Sequence, residues 1–142
     1  MSRQSEIIRK TKETDISLKL NVDDRDVSSA IATGVAFFDH MLDAFSRHGH
    51  IGLVLTCHGD LEIDAHHTME DVGLAMGQAF KDALGDKRGI TRFGHAYAPL
   101  DESLARVVVD ISGRPHLGWR CAFCENFAGN VSVRLFREFF QA

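Results

Sequence analysis

Two adjacent histidines and a nearby glutamate, in the run His66-His67-Thr68-Met69-Glu70, form the densest set of metal-capable donors in the chain. If the run opens a helix, residues three or four apart share a face, and Glu70 can sit beside either His67 or His66. The two imidazoles diverge by about 100° around the axis at 3.6 residues per turn, so one turn can offer ligands to two separate metal ions. Imidazole and carboxylate suit Zn, Mn, Fe and Ni, and spacing does not choose among them. A solvated His-His pair at a helix start is the plain alternative.

Other chemistry-bearing residues are more dispersed. His40, Ala44 and His48 lie four apart on one helical stripe. Phe37, Phe38, Met41 and Leu42 suggest that this helix is buried, and buried polar groups need partners. That argues for a ligand role for His40. Arg92 and Arg114 each sit in a glycine-containing connector, and arginine is suited to bidentate phosphate contacts. Exposed loop arginines look the same in a sequence. Asp101-Glu102 reads equally as an acid pair or a solvated loop. The single CxxC, Cys121-Ala122-Phe123-Cys124, has no second pair to complete a zinc site and reads as ordinary thiols.

These residues need a scaffold, and 142 residues are normally one domain with a real core. The chain is 44% hydrophobic and 25% charged, with net charge −4 and no basic stripe. That argues against nucleic-acid binding. The first fourteen residues are polar, with no apolar core of a signal peptide, and no run approaches a membrane span. Three cysteines without a secretory signal fit reduced thiols in a cytoplasm.

Ile16, Leu18, Leu20 and Val22 alternate with polar residues, which predicts a half-buried strand. Ser28 to Thr33 is expected to be a return strand closed by Gly34. Phe38, Met41, Leu42 and Phe45 then fall at helical spacing, with Gly49 as the helix end. Gly52 to Thr56 and Leu61 to Asp64 read as two short strands around His58-Gly59-Asp60. Val72, Ala75, Met76, Ala79, Phe80 and Ala83 define a second helix, stopped by Gly85-Asp86. Arg88 to Gly94 reads as a connector and Leu104 to Ile111 as a strand. Ser112-Gly113-Arg114-Pro115 is turn chemistry, His116 to Phe123 reads as extended, and Val133 to Phe140 opens another helix. Strand, strand and helix thus occur at Ile16 to Phe45 and begin again at Leu104 to Phe140, a weak internal repeat.

Six motifs occur in order: Phe38-Asp39-His40-Met41-Leu42; Arg47-His48-Gly49; His66-His67-Thr68-Met69-Glu70-Asp71-Val72-Gly73; Gly85-Asp86-Lys87-Arg88-Gly89-Ile90; Arg92-Phe93-Gly94; and Asp110-Ile111-Ser112-Gly113-Arg114-Pro115. Together they resemble the imidazoleglycerol-phosphate dehydratase family, from about Arg9 to the last residue. The family removes water from imidazole glycerol phosphate to give imidazole acetol phosphate in histidine biosynthesis. The resemblance implies an α+β fold, an α/β sandwich of two similar halves. Each half is a four-stranded sheet with two helices on one face. Here the halves would be residues 1–88, with the His-His-x-x-Glu motif, and 89–142, a partial second half. It also implies two Mn(II) ions per active site, at subunit contacts of a 24-subunit homo-oligomer in the cytoplasm. The matching positions imply His40, His66, His67 and Glu70 as metal ligands, with Glu70 expected to join His67 and His40 to lie nearer the metal of His66. They imply Glu13, His48, Arg92 and Arg114 as contacts to the phosphorylated imidazole substrate, with Glu13 also the acid/base residue.

Family members usually continue for about fifty residues beyond the matched stretch, carrying a further ligand histidine and a second His-His-x-x-Glu motif. The expectation for these 142 residues by themselves is therefore an inactive fragment or an assembly module of the same fold. An unrelated metal-dependent hydrolase is the other rival, but the HExxH arrangement of a zinc peptidase is absent.

Overall fold

A computed structural model describes residues 3–24 and 26–142. The chain divides into two compact units, one of Met1–Gly85 with Trp119–Ala142 and one of Asp86–Gly118.

The larger unit is built on a four-stranded sheet. Its strands are β1 (Gln4–Lys10), β2 (Thr14–Asn21), β3 (Ser29–Ala32) and β4 (Gly52–Gly59), in the order β1-β2-β4-β3. β2 is antiparallel to β1 and to β4, pairing Leu18 with Ile7 on one side and with Leu55 on the other. The predicted alternation holds, since Ile16, Leu18 and Leu20 are buried, as are Leu53, Leu55 and Cys57 of β4. Burial pushes the Cys57 thiol up to about 11, so it is an inert core residue. Two helices cover this face: α1 (Ala36–Gly49) through Phe38 and Leu42, and α2 (His66–Leu84) through Met69, Val72, Ala75, Met76 and Ala79. A four-stranded sheet with two helices on one face is the architecture expected of the first half. The turn of β7 (Phe127–Ala128) and β8 (Val131–Ser132) leads into α3 (Arg134–Gln141), the expected third helix. α3 adds Leu135 to the core and sets Phe139 edge-on to Phe38, ring centroids 5.3 Å apart. It packs so close to α2 that a Cβ on Gly73 would lie 2.6 Å from the Phe139 carbonyl oxygen.

Several elements differ from the sequence expectation. β1 lies in a stretch read only as polar. The strand at Ser28 to Thr33 exists as β3, but it runs parallel to β4 rather than folding back on β2. His58 and Gly59 belong to one continuous β4, and Leu61 to Asp64 is not a strand. The Ile63 N–H donates to the Asp60 carbonyl at 2.9 Å, which closes a turn there. Gly49 is the last residue of α1, but the left-handed cap is His50, at φ 51°. His116 to Phe123 has no regular structure.

The smaller unit is a hairpin of β5 (Phe93–Leu100) and β6 (Ser103–Asp110), from Phe93 opposite Asp110 to Leu100 opposite Ser103. β6 matches the expected strand, whereas β5 starts inside the expected connector. Asp101-Glu102 is the exposed two-residue turn between them, with Asp101 at φ 48°, a geometry such hairpins require. No helix among the described residues is long and apolar enough to cross a membrane.

Candidate metal-binding turn and active site

The first turn of α2 is pinned from below and open above. Thr68, Met69 and Val72 are buried, which leaves His66, His67 and Glu70 half-exposed on the other side. The Asp64 carboxylate accepts from the free His66 backbone N–H at 2.7 Å, a local cap for the helix start. His66 Nε2 lies 3.5 Å from Glu70 Oε2, an i,i+4 contact. His67 turns to the loop after β4, and its Nδ1 donates to Asp60 Oδ2 at 2.9 Å. The two rings lie nearly parallel, 19° apart with centroids at 5.7 Å, yet each faces a different carboxylate. Glu70 is thus the neighbour of His66 and not of His67 as expected, because Asp60 already holds His67.

Glu13 comes to the same place through the β1–β2 turn. The Thr11 hydroxyl accepts from the backbone N–H groups of Glu13 (3.1 Å) and Thr14 (2.9 Å), which shapes the turn. The Asp60 N–H donates to the Glu13 carbonyl at 3.1 Å, joining this turn to the loop that holds His67. The Asp60 hydrogen bond raises the His67 pKa above its ordinary value against the opposing effect of burial, and the Asp60, Glu13 and Asp64 charges add to the rise. The Glu13 side chain itself is exposed.

A second carboxylate, unmarked by the sequence reading, ties the turn to the helix. Asp71 accepts from Arg9 at 3.1 and 2.7 Å and from the Thr14 hydroxyl, so β1, β2 and α2 meet at one charge. Burial pushes the Asp71 carboxyl up, but the Thr14 hydroxyl and the Arg9 guanidinium outweigh it, and the group titrates below its usual range. Its ionised form therefore stabilises the fold above about pH 4, and that contribution is lost as pH falls through the folded-state value. Asp71→Asn is expected to cost about 1–3 kcal/mol near neutrality, with the cost shrinking toward pH 3. Thermal melts of both proteins across that range check this, and a pH-independent difference would refute it.

The remaining candidates belong to α1 and to the smaller unit. His40 and His48 are exposed on α1, so the argument that burial forces a partner on His40 does not apply. β3 and β4 are parallel and each feeds a helix, so α1 and α2 run the same way. Phe45 meets Phe80 with ring centroids 6.3 Å apart, and Phe139 bridges Phe38 and Gly73. His40 does not join His66, His67 and Glu70 in one cluster of donors among the described residues. Arg92 and Arg114 belong to the smaller unit. Arg92 is forked onto Asp110, Nε to Oδ1 at 2.7 Å and a terminal nitrogen to Oδ2 at 3.2 Å. That bond raises the arginine and holds Asp110 below its usual range. Arg114 is exposed, its backbone N–H donating to Ser112 Oγ at 3.3 Å. Cys121 and Cys124 are exposed free thiols.

Among the described residues no three His, Cys, Asp or Glu side chains converge as a metal centre. Two partial donor sets are present instead: His66 with Glu70, and His67 held through Nδ1 by Asp60. A ligating imidazole is normally held this way, with its second nitrogen hydrogen-bonded to a carboxylate. The donors fit a divalent transition metal in kind, and each set is open to further ligands.

The sequence model of the imidazoleglycerol-phosphate dehydratase family matches residues 33–142. The chain belongs to this family. Its members are dehydratases of histidine biosynthesis. The imidazoleglycerol-phosphate dehydratase of Aminomonas aminovorus is 55% identical over 139 residues, covering 98% of this chain and 71% of the relative. That of Gluconacetobacter diazotrophicus is 55% identical over 141 residues, covering 99% and 71%. Among solved structures, the dehydratase of Staphylococcus aureus superposes with a TM-score of 0.80 at 35% identity, over 97% of this chain and 75% of that one. The Pyrococcus furiosus dehydratase, solved with (S)-C348, gives 0.80 at 33% identity, over 95% and 70%.

Sequence reasoning missed Arg9, Thr11, Asp60, Thr14 and Asp71. Asp71 directly follows the His-His-x-x-Glu motif and carried a weak signal, as a carboxylate in the second turn of a helix. Asp60 carried none beyond being a turn residue.

Proposed function

We propose that the chain is the part of a manganese-dependent lyase that supplies one His-His-x-x-Glu turn and the acid/base carboxylate for dehydrating imidazole glycerol phosphate. The observation that carries this reading is the joining of the Glu13 turn to the first turn of α2 through Asp60 in a chain of this family. Bound Mn(II) would supply Lewis-acid polarisation of the substrate's imidazole ring. His66 with Glu70, and His67, are the residues of the described turn that would hold it, and His40 is a further ligand by family position.

The hydrogen to be removed from the glycerol carbon has no neighbouring carbonyl to acidify it, so the ring must supply the driving force. Glu13, exposed on its turn, takes that proton as a general base. The hydroxyl next to the ring leaves as water, the proton it needs balanced by the one removed from the glycerol carbon, and the resulting enol tautomerises to the ketone of the product. His48 binds the substrate, and Arg92 and Arg114 take its phosphate, Arg92 exchanging Asp110 for the phosphate oxygens. We further read the working site as one shared between subunits of a cytoplasmic homo-oligomer, since the two donor sets within one chain are incomplete.

Complementation of a histidine auxotroph lacking this step, by a full-length gene that carries these residues together with the family's second His-His-x-x-Glu motif, tests the reading. Failure by a well-expressed, soluble product would overturn it. The 142 residues expressed by themselves are expected to show little or no turnover with added Mn²⁺, because they carry one His-His-x-x-Glu motif and not the second that the family resemblance implies. Turnover near that of the family's enzymes would refute this and would reject the inactive-module alternative as well.

A further inference from the structure

We propose that Asp60 is a positioning residue for His67, holding the imidazole by Nδ1 so that Nε2 is the nitrogen offered to a metal ion. The inference rests on the reading of His67 as a metal ligand.

His67 Nδ1 and Asp60 Oδ2 are 2.9 Å apart. A carboxylate offers acceptors only, so the shared proton belongs to Nδ1 and the lone pair of the neutral ring is on Nε2. An unconstrained neutral histidine favours the opposite tautomer, with the proton on Nε2. The hydrogen bond therefore selects a form that the free side chain does not prefer, and it fixes the ring plane as well.

The surroundings make Asp60 a firm anchor. It follows directly on β4, and its backbone is held at both ends. Its N–H donates to the Glu13 carbonyl at 3.1 Å, and its carbonyl accepts from the Ile63 N–H at 2.9 Å. Gly59, the last residue of β4, packs so tightly on α2 that a Cβ there would lie 2.0 Å from Thr68 Oγ1. That close approach sets the distance between Asp60 and the neighbouring His67.

The carboxylate is also poorly explained as a stabilising group. Its Oδ1 is buried without a hydrogen-bond partner among the described residues. Its one ion-pair partner, the His67 side chain, is 44% exposed, and a half-exposed pair contributes little to a fold. A buried acceptor kept beside a solvent-facing imidazole makes sense if the orientation of that imidazole is what matters. Second-sphere carboxylates of this kind orient ligating histidines in metal sites generally.

The test uses purified, metal-free protein labelled with ¹⁵N in histidine, followed by manganese titration. In the parent, the His67 ring nitrogens are expected to show the Nδ1-protonated pattern. Asp60→Ala is expected to lose that pattern, to bind manganese about 10- to 100-fold more weakly, and to melt near the parent because the backbone bonds to Glu13 and Ile63 remain. Asp60→Asn, whose amide oxygen accepts the same N–H without the charge, is expected to keep the pattern and to lose less affinity than Asp60→Ala. A parent His67 protonated on Nε2 overturns the inference with no variant needed. Manganese affinity lost in His67→Ala but kept in Asp60→Ala overturns this inference alone. Affinity unchanged in His67→Ala overturns the ligand reading, and the inference with it.

Discussion

Glu13→Gln is expected to lower kcat by about 10²- to 10⁴-fold, the usual contribution of a positioned acid/base group. KM should move far less. The substitution is clean because the turn is held by backbone groups and threonine hydroxyls, not by the Glu13 carboxylate. The Glu13 N–H donates to Thr11 Oγ1, and its carbonyl accepts from Asp60. Its side chain is exposed, and exposed substitutions usually stay within about 0.5 kcal/mol in stability. A folded protein with nearly intact substrate binding and lost turnover is the signature of a missing proton-transfer group. Steady-state kinetics of the assembled enzyme would show it. A kcat within about threefold of the parent would remove Glu13 from the proton-transfer role.

Periodic burial was legible in the sequence, and tertiary approach was not. Ile16, Leu18 and Leu20 announced β2 because one face is apolar and the other wet. Val72, Ala75, Met76 and Ala79 announced α2 because they repeat at three and four. β1 escaped because the positions it turns toward α2 are filled by Ser5 and Arg9 as well as Ile7. Ser5 Oγ donates to the Ala79 carbonyl at 2.8 Å, and Arg9 pairs with Asp71. Polar groups doing the work of packing leave no hydrophobic period to read. β5 escaped because Pro99 and the exposed side chains along it look like a connector. Leu61 and Ile63 mimicked strand alternation, but one backbone hydrogen bond from Ile63 to Asp60 made a turn of them.

The site divides in the same way. The His66-His67-Glu70 turn was legible because its donors are local in sequence. Its partners were not, because they arrive from elsewhere in the fold. Asp60 reaches His67 only because β4 ends against Thr68, and Glu13 reaches both only because β1 and β2 turn beside that strand end. His40 was argued from burial, and the helix presents that histidine to solvent, so burial demands no partner for it. A resemblance to a family can assign such a residue a role, but a single chain's geometry does not assemble it.

Single substitutions of His66 and His67 are expected to empty different metal sites. His66 lies 3.5 Å from Glu70, whereas His67 is held by Asp60 at 2.9 Å, so the two histidines belong to different donor sets although they are adjacent. Metal analysis of the assembled enzyme should find about half of the parent's manganese in His67→Ala and in His66→Ala. Glu70→Gln should behave as His66→Ala does, and the His66→Ala, Glu70→Gln double variant should lose no further metal. The His66→Ala, His67→Ala double variant should lose both ions. Activity should fall in each single variant by at least the about 10- to 100-fold that disturbing a ligand's orientation already costs. The stacked rings supply the competing possibility: 5.7 Å between centroids is close enough for one ion to recruit both imidazoles after a side-chain rotation. In that case either single substitution would empty the same site, and Glu70→Gln would match neither. Equal loss of both metals from either histidine variant would therefore overturn the division, while leaving the turn itself as the metal-binding element.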